Sequence, residues 1–492
     1  MSKVYDVVVV GSGPVGSAFA RTLAEADPRA TILIVEAGPV IADPPGVHVR
    51  SIVDADERAR AQAASEGPRR TDFIAEGEEA AGHPPQAVRP GTFLVSDGMT
   101  TSDSTGLPAA SMSTNVGGMG AHWTGACPRP GGTEIIAEIP EAEMTEVLDA
   151  ADALLGVTQS TFADAPLSAA IIDALAREFP RGSTDRPVQP MPLAARPRED
   201  GTVEWAGTDG ILAPVLANGS VELRAETLVT SVVLTDGRVS GVEVRDVRTG
   251  ATETISAGLV YVAGDSFRTP QLLHASGIRP WALGRYLNDH ADVRTFVQLS
   301  DEFRDIAGRG GVTWIPYSEE DGFPFHCQVM QLDASPIGFI PTGEPWAGST
   351  VGVVLFGTKE ITPEDRVEFS DDETDAYGMP AMRISYHSTA RDLQTEHRLL
   401  EMSRRIAGVL GTPLVEPRVL PAGASYHFMG TVRLGVDPET SVCDTTGAVW
   451  GVEGLYVGGN GVIPTPTACN PTITSVALAI RSARAAAGAL RH

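Results

Sequence analysis

The chain has 492 residues, 42% hydrophobic and 20% charged, an ordinary balance for a globular protein of two or three domain-sized units. Thirty-seven basic against 63 acidic side chains leave a formal charge of −26. That charge excludes a general attraction to nucleic acid or anionic membranes, and reads as a solubilising surface rather than a demand for a cationic substrate.

The N-terminus passes at once into a β-branched run, Val7–Val10, the pattern of a strand buried on both faces. No signal-peptide pattern precedes it, and no apolar run looks long enough to span a bilayer. A cytoplasmic protein without membrane contact is expected. Gly11-Ser12-Gly13-Pro14-Val15-Gly16 follows, then a helix-prone stretch, Ser17–Ala26, and a second apolar run, Thr31–Val35, ending in Glu36. Each residue type has a task in this strand, turn, helix, strand, acid order. Gly11 permits the tight turn, Gly13 lets backbone approach a pyrophosphate, and Gly16 lets the helix pack on the sheet. The helix N-terminus offers free N–H groups to phosphates. Glu36 is placed to accept from a ribose diol and to disfavour a 2′-phosphate. The motif binds a dinucleotide but does not separate FAD from NAD.

Residues 46–94 are polar, acidic and Pro-rich and read as an excursion or lid. Ser113–Thr124 is a Gly-rich stretch, S-T-N-V-G-G-M-G-A-H-W-T, whose small residues suit close approach to a flat ring. Val221–Leu234 and Arg238–Asp246 are β-rich runs around Thr235-Asp236-Gly237, a hairpin signal. Leu259–Leu273 reads as strand, turn, helix, returning the chain to the first sheet. Gly352–Phe356 and Ala381–Tyr386 alternate and are expected in an antiparallel sheet. Phe325–Asp333 alternates too, placing Gln328 and Met330 on one face; Gln328 is read either as a ligand contact or as a strand amide on solvent. Leu455–Val457 is a strand entering Gly458-Gly459-Asn460-Gly461, and Ile473–Leu490 is a helix aiming its N-terminus at a ligand. The cysteines, Cys127, Cys327, Cys443 and Cys469, have no C-x-x-C spacing; buried thiols are expected, with neither disulfides nor a metal site.

Taken in order, the N-terminal turn, G-G-M-G-A-H-W-T, A-G-D-S-F-R-T-P-Q-L-L, G-R-Y-L-N-D-H at 284–290, H-F-M-G-T at 427–431 and G-G-N-G-V-I-P…A-C-N-P-T run nearly end to end. In this the chain resembles the glucose-methanol-choline family of flavin oxidoreductases, and within it the pyranose oxidase branch. The resemblance implies FAD, held by Gly11, Gly13, Gly16 and Glu36, with Val229 meeting the adenine through its backbone. It implies Gly117, Gly118 and Thr124 beside the isoalloxazine, and Asn460 and Thr472 as flavin-side contacts. His122 matches the histidine that pyranose oxidases of this type can bond covalently to the flavin. His427 and Asn470 match the catalytic pair. Gln328 and Asp333 match the strand and loop that meet the sugar, although the spacing at Asp333 departs from the fungal one. His290 reads as a turn or structural residue. The chain is shorter than the fungal enzymes, which puts a tetramer in doubt and leaves a monomer or small homo-oligomer. Its size and motifs fit the bacterial group that oxidises glycosides, including C-glycosides, at the sugar 3-position.

Oxidising an alcohol requires a hydride acceptor and a base for the O–H proton. An imidazole suits the second role because its ordinary pKa lies near working pH, and an amide can hold the substrate oxygen without competing for the proton. The expected function is therefore oxidation of a sugar or glycoside hydroxyl at the 3-position with O2 as acceptor. Pyranose 2-oxidase, a dehydrogenase with a quinone-type acceptor and a lyase of the same fold are the alternatives. The expected fold is α/β, a Rossmann-like FAD-binding domain (1–45, 95–140, 218–295 and 426–492) interleaved with an α+β substrate domain built on an antiparallel sheet (141–217 and 296–425).

Overall fold

The structure, a computed structural model, describes residues 4–66, 91–162, 165–179, 186–306, 311–317, 324–331, 346 and 348–490. Two seven-stranded sheets organise it. In the first, Val221–Arg224, Ile32–Val35, Val4–Val10, Thr252–Val262 and Leu455–Val457 run parallel side by side. Thr227–Thr235 and Arg238–Asp246 extend it as an antiparallel meander from the start of Thr252–Val262. Val7, Val8, Val9, Ile34, Val260, Tyr261 and Val262 are wholly buried, as a parallel sheet covered on both faces requires. Helix Pro14–Ala26 packs against the C-terminal helix Thr472–Leu490, and its Phe19 stacks on Tyr261 with ring centroids 3.8 Å apart.

Two local readings change. The run Val221–Leu234 is not one strand. It breaks at Ala225-Glu226, where Glu226 takes a φ of 53°, because the first part pairs with Ile32–Val35 and the second with Arg238–Asp246. The hairpin after it forms at Asp236 and Gly237, both with positive φ. The C-terminal helix is, by length and composition, apolar enough to cross a membrane, contrary to the expectation that no run was; 67% of that window is buried inside the protein. Its Ala, Ile and Val side chains are a core face, not a lipid face.

The second sheet is antiparallel, in the order Gly411–Pro413, Ala291–Leu299, Thr350–Gly357, Phe325–Gln331, Val312–Tyr317, Gln189–Pro190. One face packs on helices Pro166–Glu178 and Ala390–Leu410, with Phe325, Cys327, Val329, Val353 and Leu355 meeting Leu399 and Ile406. The two-residue strand period then turns His326 and Gln328 to the opposite face, where both are buried against the first domain. Ala381–Tyr386, expected in an antiparallel sheet, is antiparallel, but its strand Pro380–Ser385 pairs with Arg366–Thr374 in a ribbon separate from this sheet. Met382 and Ile384 join the first domain's core, and their carbonyls accept from Thr101 and Thr105 N–H groups.

Of 46–94, residues 46–66 and 91–94 are described. His48 and Val49 are buried, Ala55–Glu66 is helical, and Gly91–Leu94 pairs with Ser111–Thr114. The excursion or lid was read over 46–94, of which 67–90 lie outside the described residues. All four cysteines are buried and unpaired.

Candidate active site

The dinucleotide turn lies at the C-terminal ends of the parallel strands, where ligands bind open α/β sheets. Gly11 has a φ of 100°, and a Cβ there would stand 2.3 Å from the Ala263 carbonyl oxygen. A Cβ on Gly16 would stand 2.1 Å from the Gly11 oxygen, so both positions demand glycine. Gly13 is different: a Cβ there would meet no protein atom within 4 Å. The space before the uncapped start of helix Pro14–Ala26 is open, a cradle of the kind a pyrophosphate fills. Glu36 is buried. Its Oε2 accepts from Ser12 N–H (3.1 Å) and Oγ–H (2.8 Å), and its Oε1 from Gly38 N–H (2.9 Å). Thr227 N–H bonds the Glu36 carbonyl (2.9 Å), which brings the strand of Val229 beside the acid.

The Gly-rich stretch lies across this turn. Gly117 N–H donates to Ser12 Oγ (3.0 Å), and a Cβ on Gly118 would be 3.4 Å from Gly13 Cα. Half-buried Arg268 fastens it, donating to Thr114 Oγ1 (2.8 Å) and the Ser113 carbonyl (2.5 Å) while paired with Asp265 (2.8 Å). Trp123 Nε1–H is held by the Ala206 carbonyl (2.7 Å), with Thr124 beside it partly exposed. His122 Nε2 lies 3.2 Å from Thr92 Oγ1, its Nδ1 is buried without a partner, and burial lowers its pKa to about 4. Asn460 Oδ1 accepts from Ser475 Oγ (2.7 Å), tying the Gly459 turn to the helix that Thr472 opens. The open cradle, the close-packed glycines and the unpartnered buried nitrogen fit a flavin dinucleotide.

Above the strand ends, Ser266 Oγ donates to the Phe428 carbonyl and Thr431 Oγ1 to the Ser266 carbonyl, both at 2.6 Å, fixing the segment that carries His427. His427 Nε2 stands 3.2 Å from Asn470 Nδ2. Gln328 Nε2 donates to Asn470 Oδ1 at 2.6 Å, so the strand amide faces the pair and not solvent. Phe356, from the neighbouring strand, packs edge-on against the His427 ring at 5.0 Å. Burial, then the Arg294 charge, push the His427 pKa down to about 3, leaving a neutral ring. Asp333 lies outside the described residues.

Three residues were not read as site residues. His290 is no isolated turn residue: its Nδ1 lies 3.0 Å from His427 Nδ1. The cause is register. Asn288 and Met429 exchange backbone bonds as an antiparallel pair, so 290 and 427 fall opposite each other on one face. Asp289, buried, accepts from Gly423 N–H (3.2 Å), His427 N–H (3.3 Å) and Ser425 Oγ, and so holds the His427 loop; burial raises its pKa to about 7. Glu134 does the same for Asn470. Its Oε1 accepts from Ala468 N–H (2.7 Å) and Cys469 N–H (3.0 Å), its Oε2 from Gly131 N–H (3.0 Å) and His326 Nε2–H (3.2 Å). Burial opposes the charge of Glu134, but His326 and the backbone donors bring its pKa down to about 2. The only advance trace was, for Glu134, an acid beside Ile135-Ile136 and, for Asp289, an acid between Leu287-Asn288 and His290.

A pyrophosphate cradle, an acid for a ribose and a part-buried imidazole–amide pair define a dinucleotide-dependent oxidoreductase. Residues 140–292 and 363–479 match the N-terminal and C-terminal family models of GMC oxidoreductases, respectively. The C-glycoside 3-oxidase of Arthrobacter globiformis is 49% identical, the match covering 97% of this chain and 94% of that one. That of Microbacterium trichothecenolyticum is 47% identical over 97% and 96%. The pyranose 2-oxidase of Tricholoma matsutake is 29% identical over 98% and 93%. The solved pyridoxine 4-oxidase from Mesorbium loti shares the fold, with a TM-score of 0.61, 19% identity and 98% and 99% coverage. The chain belongs to the GMC oxidoreductase family, as its motifs implied, and the dinucleotide of that family is FAD.

Proposed function

We propose that this protein oxidises a secondary hydroxyl of a glycoside, at C3 of the sugar of a C-glycoside, giving the 3-keto glycoside, and passes the electrons to O2 to form H2O2. The observation that carries the reading is the neutral His427 Nε2 beside Asn470 Nδ2 at 3.2 Å, beneath Gln328. FAD, when bound, supplies the hydride acceptor. His427 Nε2 takes the hydroxyl proton as the C–H bond breaks. Asn470 Nδ2–H, its other end held by Gln328, steadies the same oxygen. Phe356 and the sheet above keep water from the base. The relatives named as C-glycoside 3-oxidases support the substrate and the position.

The test is anaerobic mixing of the yellow protein with a C-glycoside and, separately, with glucose, following flavin absorbance. Faster bleaching by the C-glycoside is expected, with oxygen uptake when air returns. Faster bleaching by glucose would favour a pyranose 2-oxidase, and no oxygen uptake a dehydrogenase. Substrate converted while the flavin stays oxidised would mean a lyase. The variant His427→Ala should slow bleaching by about 100-fold or more; a near-normal rate removes His427 from the role. Acid precipitation decides attachment at His122: colour in the pellet means a covalent flavin, colour in the supernatant a bound one.

A further inference from the structure

We propose that His290 is a positioning residue: with Thr467 it fixes His427 in the tautomer whose Nε2 lone pair faces the substrate. The proposal rests on the reading of His427 as the base. It follows from a chain of contacts whose polarity is set at its far end. Thr467 Oγ1 lies 3.5 Å from the Cys469 carbonyl oxygen and 3.5 Å from Met429 Sδ, both of which only accept. The single Thr467 proton can be given to one of them, which leaves its oxygen to accept from His290 Nε2–H at 3.3 Å. With that nitrogen protonated, the neutral His290 ring presents a lone pair at Nδ1. The facing atom, His427 Nδ1 at 3.0 Å, must then carry a proton and donate it. Nε2 of His427 is the remaining nitrogen, unprotonated, and accepts from Asn470 Nδ2–H.

The same contact serves the reaction. When Nε2 takes the substrate proton the ring becomes a cation, and Nδ1–H···Nδ1 becomes a charge-assisted hydrogen bond. His290 is buried, so this acceptor does not have to be assembled from solvent. The charged and titratable groups around the two rings are Asp289 on the same loop pair, Arg294 behind His427 and His326 on the strand above. None of them replaces the Nδ1 acceptor. Elsewhere, a base held in the wrong tautomer loses about 10⁴-fold in rate even though its geometry survives.

Four variants and the wild type test this, each first checked for flavin content. His290→Leu removes the acceptor and should slow anaerobic flavin bleaching by about 10-fold to 1,000-fold with the glycoside KM changed less than about three-fold. His290→Gln restores an acceptor and should recover most of the rate, which a merely structural side chain would not do. Imidazole nitrogen NMR on ¹⁵N-histidine protein, with His427 assigned from the spectrum of His427→Gln, should show Nδ1 protonated and Nε2 bare in the wild type. In His290→Leu the protonated form at Nε2 should appear. A His290→Leu enzyme within about three-fold of wild type, or a wild-type His427 protonated at Nε2, overturns the proposal. If His290→Leu does not fold, the wild-type NMR alone decides. If His427→Ala is itself normal, the base assignment fails and this inference falls with it; if only His290→Leu is normal, the base assignment stands.

Discussion

Replacing Glu134 by Gln is the sharpest probe of how the site is held. The carboxylate accepts four hydrogen bonds, two at each oxygen, and the isosteric amide keeps only one oxygen. If that oxygen stays on Ala468 and Cys469, the NH2 group confronts the N–H of Gly131 and of His326. If it turns, the Ala468 and Cys469 donors are orphaned instead. Either way two buried or part-buried donors lose their acceptor, at about 1–3 kcal/mol each, or about 2–6 kcal/mol together. A 492-residue chain unfolding as one unit has an entropy near 1 kcal/mol per kelvin. Flavin-fluorescence melting should therefore show a midpoint lower by roughly 2–6 °C. Asn470 follows directly on the released backbone, and a displacement of about 1 Å near the chemistry is worth about 100-fold in rate. Anaerobic bleaching should slow by about 10-fold to 100-fold, with flavin still bound because the cradle at Gly13 is untouched. A melting point within about 1 °C of wild type together with a rate within about two-fold would refute the anchoring role.

Gly13→Ala should separate flavin binding from folding. Gly13 has a φ of −62°, which alanine adopts, and its Cβ would meet no protein atom within 4 Å. The apoprotein should melt at or slightly above the wild-type temperature, while equilibrium titration with FAD shows weaker binding; undiminished affinity would mean the pyrophosphate lies elsewhere. Acid should destabilise the protein. Burial lowers the pKa of His48 and His427 to about 3, of His122 to about 4, and of His290 well below its usual value, whereas the unfolded chain binds these protons near pH 6.5. Below pH 6.5 the unfolded state thus holds more protons, so stability falls as pH falls. Asp289, raised to about 7, keeps a proton when folded and opposes this by one. Near pH 5 the balance is about three protons, at most about 4 kcal/mol per pH unit. A melting temperature flat between pH 6.5 and 5 would contradict the burial of these rings.

Sequence legibility followed the range of the interactions. The dinucleotide turn was readable because its demands are local: Gly11 and Gly16 are fixed by backbone atoms within the turn or one strand away. Gln328 was readable as far as its face, since the two-residue period excludes the alternative once Phe325, Cys327 and Val329 fill the core. Its partner was not, because Asn470 comes from a segment 142 residues away. Ala381–Tyr386 shows the converse limit: alternation predicted a strand, but not that Met382 and Ile384 would bury in the other domain.

His290 escaped notice for a definite reason. The significance of N-D-H depends on its antiparallel register with H-F-M, and register is set by the backbone bonds of Asn288 and Met429, which leave no mark in composition. Glu134 and Asp289 left a fainter trace, an acid beside Ile135-Ile136 and another between Leu287-Asn288 and a buried histidine. A carboxylate in such surroundings persists only if donors converge on it. Those donors are the N–H groups of irregular loops, here Ala468, Cys469, Gly423 and His427. Each buried acid therefore answers the orphan backbone of the loop that carries one member of the catalytic pair. The pair's spacing is set by carboxylates that belong to neither of its motifs.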